Sequence, residues 1–164
     1  MSVSTNLLEI KTFAVGSFAC NASIIYSKQS REAIVIDPGN NIQEFLSVLT
    51  PLNVNVKALV HTHAHFDHIG RSNSLSSLLK APIYLHQDDL FLYNSLKSQG
   101  LWVGEDVDEP NAKPLFLNDA ETFGFSDKAL KNFLKTIHTP GHTPGSCSFY
   151  MELTEKPVLF SGDT

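Results

Sequence analysis

Apolar residues fall in short runs separated by polar turns, and the spacing inside each run changes along the chain. Residues 7–15 are rich in β-branched and aromatic side chains and predict an opening strand. Ala22-Ser23-Ile24-Ile25-Tyr26 predicts a second strand, with polar residues 27–32 as a hairpin connection. Ala33-Ile34-Val35-Ile36 is unbroken apolar sequence, the pattern of a strand buried on both faces. It stops at Asp37-Pro38-Gly39-Asn40, a strong turn signal. Ile42, Phe45, Leu46 and Leu49 then recur at helical spacing and predict a helix over residues 42–52. A strand is expected over 56–60, an amphipathic helix around Leu75, Leu78 and Leu79, a strand over 82–85 and a helix over 88–96. Strand and helix alternating in this way imply an α/β layered domain. Residues 100–117 are weakly patterned and acidic, with Glu105, Asp106, Asp108 and Glu109. They predict a surface loop, with a flexible lid as the functional alternative. Short strands follow near 134–137, Cys147–Met151 and Val158–Phe160.

Composition narrows the function classes. The 164 residues suffice for one domain with its own core, and 42% hydrophobic against 18% charged residues is ordinary globular material. A formal net charge of -5 disfavours nucleic acid or an anionic membrane as partner. Cys20 and Cys147 lie far apart and form no Cys-x-x-Cys pair, so they read as two reduced, buried thiols. The first residues lack a long apolar run, which predicts neither a signal peptide nor a membrane span and leaves the cytoplasm as the expected location.

Candidate chemistry is concentrated in one segment. His61-Thr62-His63-Ala64-His65-Phe66-Asp67-His68-Ile69-Gly70 holds four of the seven histidines and an aspartate. Imidazole and carboxylate at this density suit a transition metal. In extended chain, residues two apart point the same way, so His63, His65 and Asp67 can face one point, with His68 out of phase. Ligands offered in two directions suit two neighbouring metals better than one. The segment lies between a predicted strand and a helix, at the carboxyl end where open α/β sheets bind ligands. The plainer readings are Asp67 as a helix N-cap and His61 as a hydrogen-bonded strand-end residue. Thr139-Pro140-Gly141-His142-Thr143-Pro144-Gly145-Ser146 can hold a histidine in a fixed direction, and Phe160-Ser161-Gly162-Asp163-Thr164 ends a strand with an aspartate.

The run from Thr62 to His68 resembles the signature of the metallo-β-lactamase superfamily. The loop around His142 and the Gly162-Asp163-Thr164 segment resemble that family's next two motifs in the right order, and Ile36-Asp37-Pro38-Gly39 matches an early one. The resemblance spans the whole chain. It implies a four-layer αββα sandwich of two similar halves. It also implies that His63, His65 and His142 bind a first metal, that Asp67 and His68 bind a second, and that Asp163 bridges both. Asp37 would support the metal loop, and His86 and His138 would be structural or supporting. Two divalent ions, zinc first, with iron and manganese suited to the same donors, would supply a metal-bound hydroxide near neutral pH. Asp67 would orient that nucleophile and pass on its proton.

Within the family, β-lactamases usually carry cysteine where this chain has Asp163. The pattern here is similar to the glyoxalase II branch, which hydrolyses thioesters such as hydroxyacylglutathione, although the helical glutathione-binding domain has no counterpart. The expected substrate is therefore a small thioester. Two alternatives stay open: a persulfide dioxygenase with one iron on His63, His142 and Asp163, and a non-enzymatic metal-binding or interaction protein on the same fold. The resemblance further implies strands, a helix and a last histidine ligand beyond residue 164. The second half is then expected to be incomplete, this 164-residue chain weakly active or inactive as a hydrolase, and a homodimer one way to complete it.

Overall fold

A computed structural model describes residues 3–164. The chain begins with an antiparallel meander of β1 (Leu8–Val15), β2 (Cys20–Ser27) and β3 (Glu32–Ile36). Helix α1 (Ile42–Leu49) then returns the chain to β4 (Asn55–Val60), parallel to β3. The Asn41 side chain accepts a hydrogen bond from the Glu44 amide and caps α1. The chain continues through α2 (Phe66–Ile69), α3 (Ser72–Leu79), β5 (Ile83–His86), α4 (Leu90–Asn94), α5 (Leu96–Val103) and β6 (Leu115–Leu117). β1 to β6 form one six-stranded sheet in sequence order, parallel from β3 onward. The remaining strands are β7 (Thr122–Phe123), β8 (Leu134–His138), β9 (Cys147–Met151) and β10 (Val158–Phe160). They make a four-stranded antiparallel sheet in the order β10-β9-β8-β7.

The alternation of side chains along β2 and β3 explains the layering. Ile24 and Val35 face the helices and join Phe45, Leu49, Leu59 and Leu75 in one core. Ile25, Ile34 and Ile36 face the other way and meet Leu134, Phe149 and Met151 of the second sheet in another. β3 is thus buried on both faces, as its unbroken apolar run predicts. Helices, first sheet and second sheet give three stacked layers. By the same alternation Lys135, Ile137, Tyr150 and Leu159 lie on the far face of the second sheet. Cys20 and Cys147 are free and buried, and burial raises both thiol pKa values, that of Cys147 to about 12. No helix among the described residues is long and apolar enough to cross a membrane.

Three sequence expectations need correction. The α-helix expected over 42–52 ends at Leu49, and Thr50–Leu52 continues as a 3-10 turn around Pro51, which has no N–H to donate. The single helix expected over 88–96 is a 3-10 turn (Gln87–Asp89), then α4, then α5 after a break at Ser95. The loop expected over 100–117 begins inside α5 and ends in β6. Gly100 packs where a Cβ would sit 2.6 Å from the Glu105 carbonyl, and Leu101 and Trp102 are exposed, so α5 shows no amphipathic stripe to read.

Candidate metal centre

The histidine segment leaves β4 at the carboxyl end of the first sheet and stays extended to His65, the N-cap residue of α2. His63 and His65, two apart, turn to the same place, and His142 of the 139–146 loop joins them. The ring centroids of the three pairs are each 4.7 Å apart with planes at 86° to 89°. One ligand atom from each lies within 4.8 Å of the others, and His65 Nδ1 and His142 Nε2 are 2.9 Å apart. His63 is 1% exposed; its Nδ1 contacts Thr62 Oγ1 at 3.0 Å, and its Nε2 is buried with no hydrogen-bond partner. An orphaned ring nitrogen at the meeting point of imidazoles is a donor waiting for a cation.

A second trio, His63, His68 and Asp163, also places its ligand atoms within 4.8 Å. Asp163, exposed just beyond β10, sets Oδ1 3.2 Å from His68 Nε2 and Oδ2 3.6 Å from His142 Nε2. Its two oxygens therefore face one histidine of each trio. Asp67 belongs to neither trio, but its Oδ2 is 3.6 Å from His68 Nε2. The chain becomes helical at Phe66, so period-two reasoning fails beyond His65. It is the turn of α2, not strand alternation, that brings Asp67 and His68 to the site.

Buried polar groups hold these side chains in place. Asp37 directly follows β3 with φ +47°, in the left-handed region. Its Oδ1 accepts the Thr62 amide at 2.8 Å, and its Oδ2 accepts the Thr62 hydroxyl at 2.6 Å and His68 Nδ1 at 3.0 Å. This fixes the His68 ring and aims Nε2 at Asp163. Burial disfavours charge on both partners, but their mutual attraction outweighs it. Asp37 is held below the usual carboxylate range, and in the metal-free protein His68 is pushed up to about 11. His63 goes the other way, down to about 3, because burial and the charge of nearby His68 oppose its protonation. His65 is lowered by burial and by His142. A neutral imidazole is the form that binds metal.

Asp89 is the residue that sequence reasoning missed. It is wholly buried; Oδ2 accepts the Ala64 amide at 3.0 Å and the Thr143 hydroxyl at 2.8 Å, and Oδ1 accepts the Gly145 amide at 2.7 Å. One carboxylate thus ties the loop of His63 and His65 to the loop of His142. A Cβ on Gly145 would lie 2.7 Å from Asp89, so the loop can approach only with glycine there. Nothing in the sequence separates Asp89 from its neighbour Asp88. His61 is structural, as expected: Nδ1 contacts the Tyr84 carbonyl at 3.0 Å and Nε2 the Ser72 hydroxyl at 2.7 Å. Beside His68 and Asp163 opens a cavity of about 460 Å³ walled by Phe18, Cys20, Asp67, Leu159 and Phe160. Phe18, 54% exposed at the β1–β2 turn, stands edge-on to Phe66 at 5.0 Å.

Comparison with known proteins agrees with this geometry. The family model described as the metallo-beta-lactamase superfamily matches residues 15–164. The hydroxyacylglutathione hydrolase GloC of Haemophilus influenzae is 34% identical over 161 residues, covering 95% of this chain and 71% of that protein. Among solved structures, the BLEG-1 B3 metallo-beta-lactamase superposes with a TM-score of 0.78 at 28% identity, over 94% of this chain and 72% of its own. TTHA1623, solved in a di-iron-bound form, gives 0.74 at 27% identity over 86% and 66%. With three histidines, a second His–Asp group and the two-sheet fold in one place, this chain belongs to the metallo-beta-lactamase superfamily.

Proposed function

We propose that the protein is a metal-dependent hydrolase of small thioesters, built around two divalent ions. The observation that carries this reading is the buried, partnerless Nε2 of His63 where the two ligand trios meet. In this reading His63, His65 and His142 would hold one ion, His68 and Asp67 would hold the other, and Asp163 would serve both. Bound there, two divalent ions would supply a nucleophilic water at neutral pH and Lewis acidity toward a carbonyl.

The chain's own residues do the rest. Asp37 orients His68, Asp89 clamps the two loops, and Asp67 stands beside His68 where it can orient the water and take up its proton. The cavity at His68 and Asp163 accepts the acyl group, with Phe18 and Phe160 as its apolar walls. Thioester preference rests on the similarity to hydroxyacylglutathione hydrolase GloC. Zinc is the first candidate metal, and iron the second, since a solved relative is described in a di-iron form. The trio of His63, His68 and Asp163 favours a second ion over a single-iron dioxygenase.

The test is hydrolysis of S-lactoylglutathione by protein loaded with zinc and then stripped by chelator. Cleavage that disappears with the metal and returns on reloading supports the reading. Cleavage indifferent to the chelator, or fully loaded protein that cleaves oxygen esters and spares thioesters, contradicts it.

A further inference from the structure

Outside the centre just described, the described residues contain one more group of metal-capable side chains: His86, Asp88 and His138, each offering a ligand atom within 4.8 Å of the others. His86 ends β5 and His138 ends β8, so the two sheets meet at this point. Their rings stack with centroids 4.1 Å apart and planes only 10° from parallel. Parallel rings point their in-plane lone pairs along parallel lines, so one ring turns about its Cβ–Cγ bond for both to meet one metal. His138 Nε2 lies 3.0 Å from the Pro144 carbonyl, to which it can only donate, and that leaves Nδ1 as its lone-pair nitrogen. His86 Nδ1 lies 3.7 Å from Asp88 Oδ2. Two donors on one tetrahedral zinc, each bonded at about 2.0–2.1 Å, sit roughly 3.4 Å apart, so this pair is already close to a chelating distance. The competing hydrogen bond, from the Asp88 amide to His86 Nδ1, is long at 3.3 Å and solvent-exposed, hence cheap to give up.

We propose that His86, Asp88 and His138 form a separate binding site for a divalent transition metal of borderline softness, zinc in the first instance, at the junction of the two sheets. The donor set, two imidazoles and one carboxylate, leaves a fourth position for water. Burial and neighbouring His138 lower the His86 pKa. With the Asp88 side chain exposed, the site fills after the main centre, on added zinc. It also has a physical route to that centre. The His138–Pro144 hydrogen bond braces the loop that carries His142, and the next residue after Asp88 is the clamp Asp89. A metal here stiffens both supports of the first histidine trio. The inference stands on these residues alone and does not depend on the thioester reading.

The experiment measures zinc bound per chain after dialysis at equal free zinc, for the wild type, Asp88→Asn and His86→Ala. In parallel it records the imidazole NMR resonances of His86 and His138 during the zinc titration. The expected result is one zinc fewer per chain in each variant, with the His86 and His138 resonances of the wild type shifting on added zinc. A His65→Ala/His68→Ala background, in which the main centre is disabled, should keep those shifts. If a variant fails to fold, the wild-type resonances still decide. Equal zinc in all chains, or His86 and His138 resonances unmoved by zinc, would overturn the proposal and leave a stacked histidine pair.

Discussion

Asp89 shows what a single buried carboxylate contributes. Its three hydrogen bonds run to Ala64, Thr143 and Gly145, on the two loops that position His63, His65 and His142. Asp89→Ala leaves two buried amides without acceptors, at about 1–3 kcal/mol each. The variant should therefore lose roughly 2–6 kcal/mol in urea unfolding and about 10–100-fold in zinc affinity. Unchanged zinc affinity in a folded Asp89→Ala protein would show that the loops hold themselves. The contrast with the histidines explains what was legible. His63, His65, His68 and His142 stand out because their density or loop context is unusual in sequence. Asp89 does not, since its function arises from partners more than fifty positions later in the chain, which only the fold brings near.

At the scale of elements, the site depends on how β10 delivers Asp163. Gly162 has φ +57°, and a Cβ there would lie 2.5 Å from Thr62 Oγ1, the hydroxyl that also anchors Asp37. Gly162→Ala must push the strand end away and carry Asp163 with it. Zinc titration of this variant should show both binding steps of the main centre weakened, by about 10–100-fold. Two steps as in the wild type would argue that Asp163 is not a ligand. The elements themselves were readable where one rule governed them. β2, β3 and β4 follow from burial, and α1 from helical spacing. The rule failed where two conformations meet: at Phe66, where extended chain becomes α2, and at Gly100, where packing against Glu105 and Val107 keeps a glycine inside α5.

The whole molecule carries an electrostatic cost that pH exposes. His61 and His63 stay neutral when folded down to about 4 and about 3, against 6.5 for a free imidazole, because burial opposes their charge. As pH falls below about 6.5 the unfolded chain takes up protons that the folded chain refuses, so stability falls with pH through this window. His68 does not offset the trend: its folded pKa is raised, so its contribution is complete below 6.5 and is lost only as pH rises toward about 11. Metal-free protein should lose up to about 3 kcal/mol between pH 6.5 and 4 through His61 alone. His61→Gln, which keeps hydrogen-bonding groups but does not titrate, should flatten the slope in urea melts across this range. An unchanged slope would place the acid sensitivity elsewhere.

The layered α/β class and the position of the site at the carboxyl end of β4 both follow from the order of strands and helices along the chain. The pairing of the two sheets, which brings His142 and Asp163 to the histidine segment, does not, because it rests on contacts between strands remote in sequence. Anomalous scattering at the zinc edge, from crystals grown with zinc, measures that convergence. In the main centre two peaks are expected about 3.5–4 Å apart, one among His63, His65 and His142 and one beside His68 and Asp67, with Asp163 between them and any zinc at His86, Asp88 and His138 giving a separate peak. A single peak, or none, among these residues would contradict it.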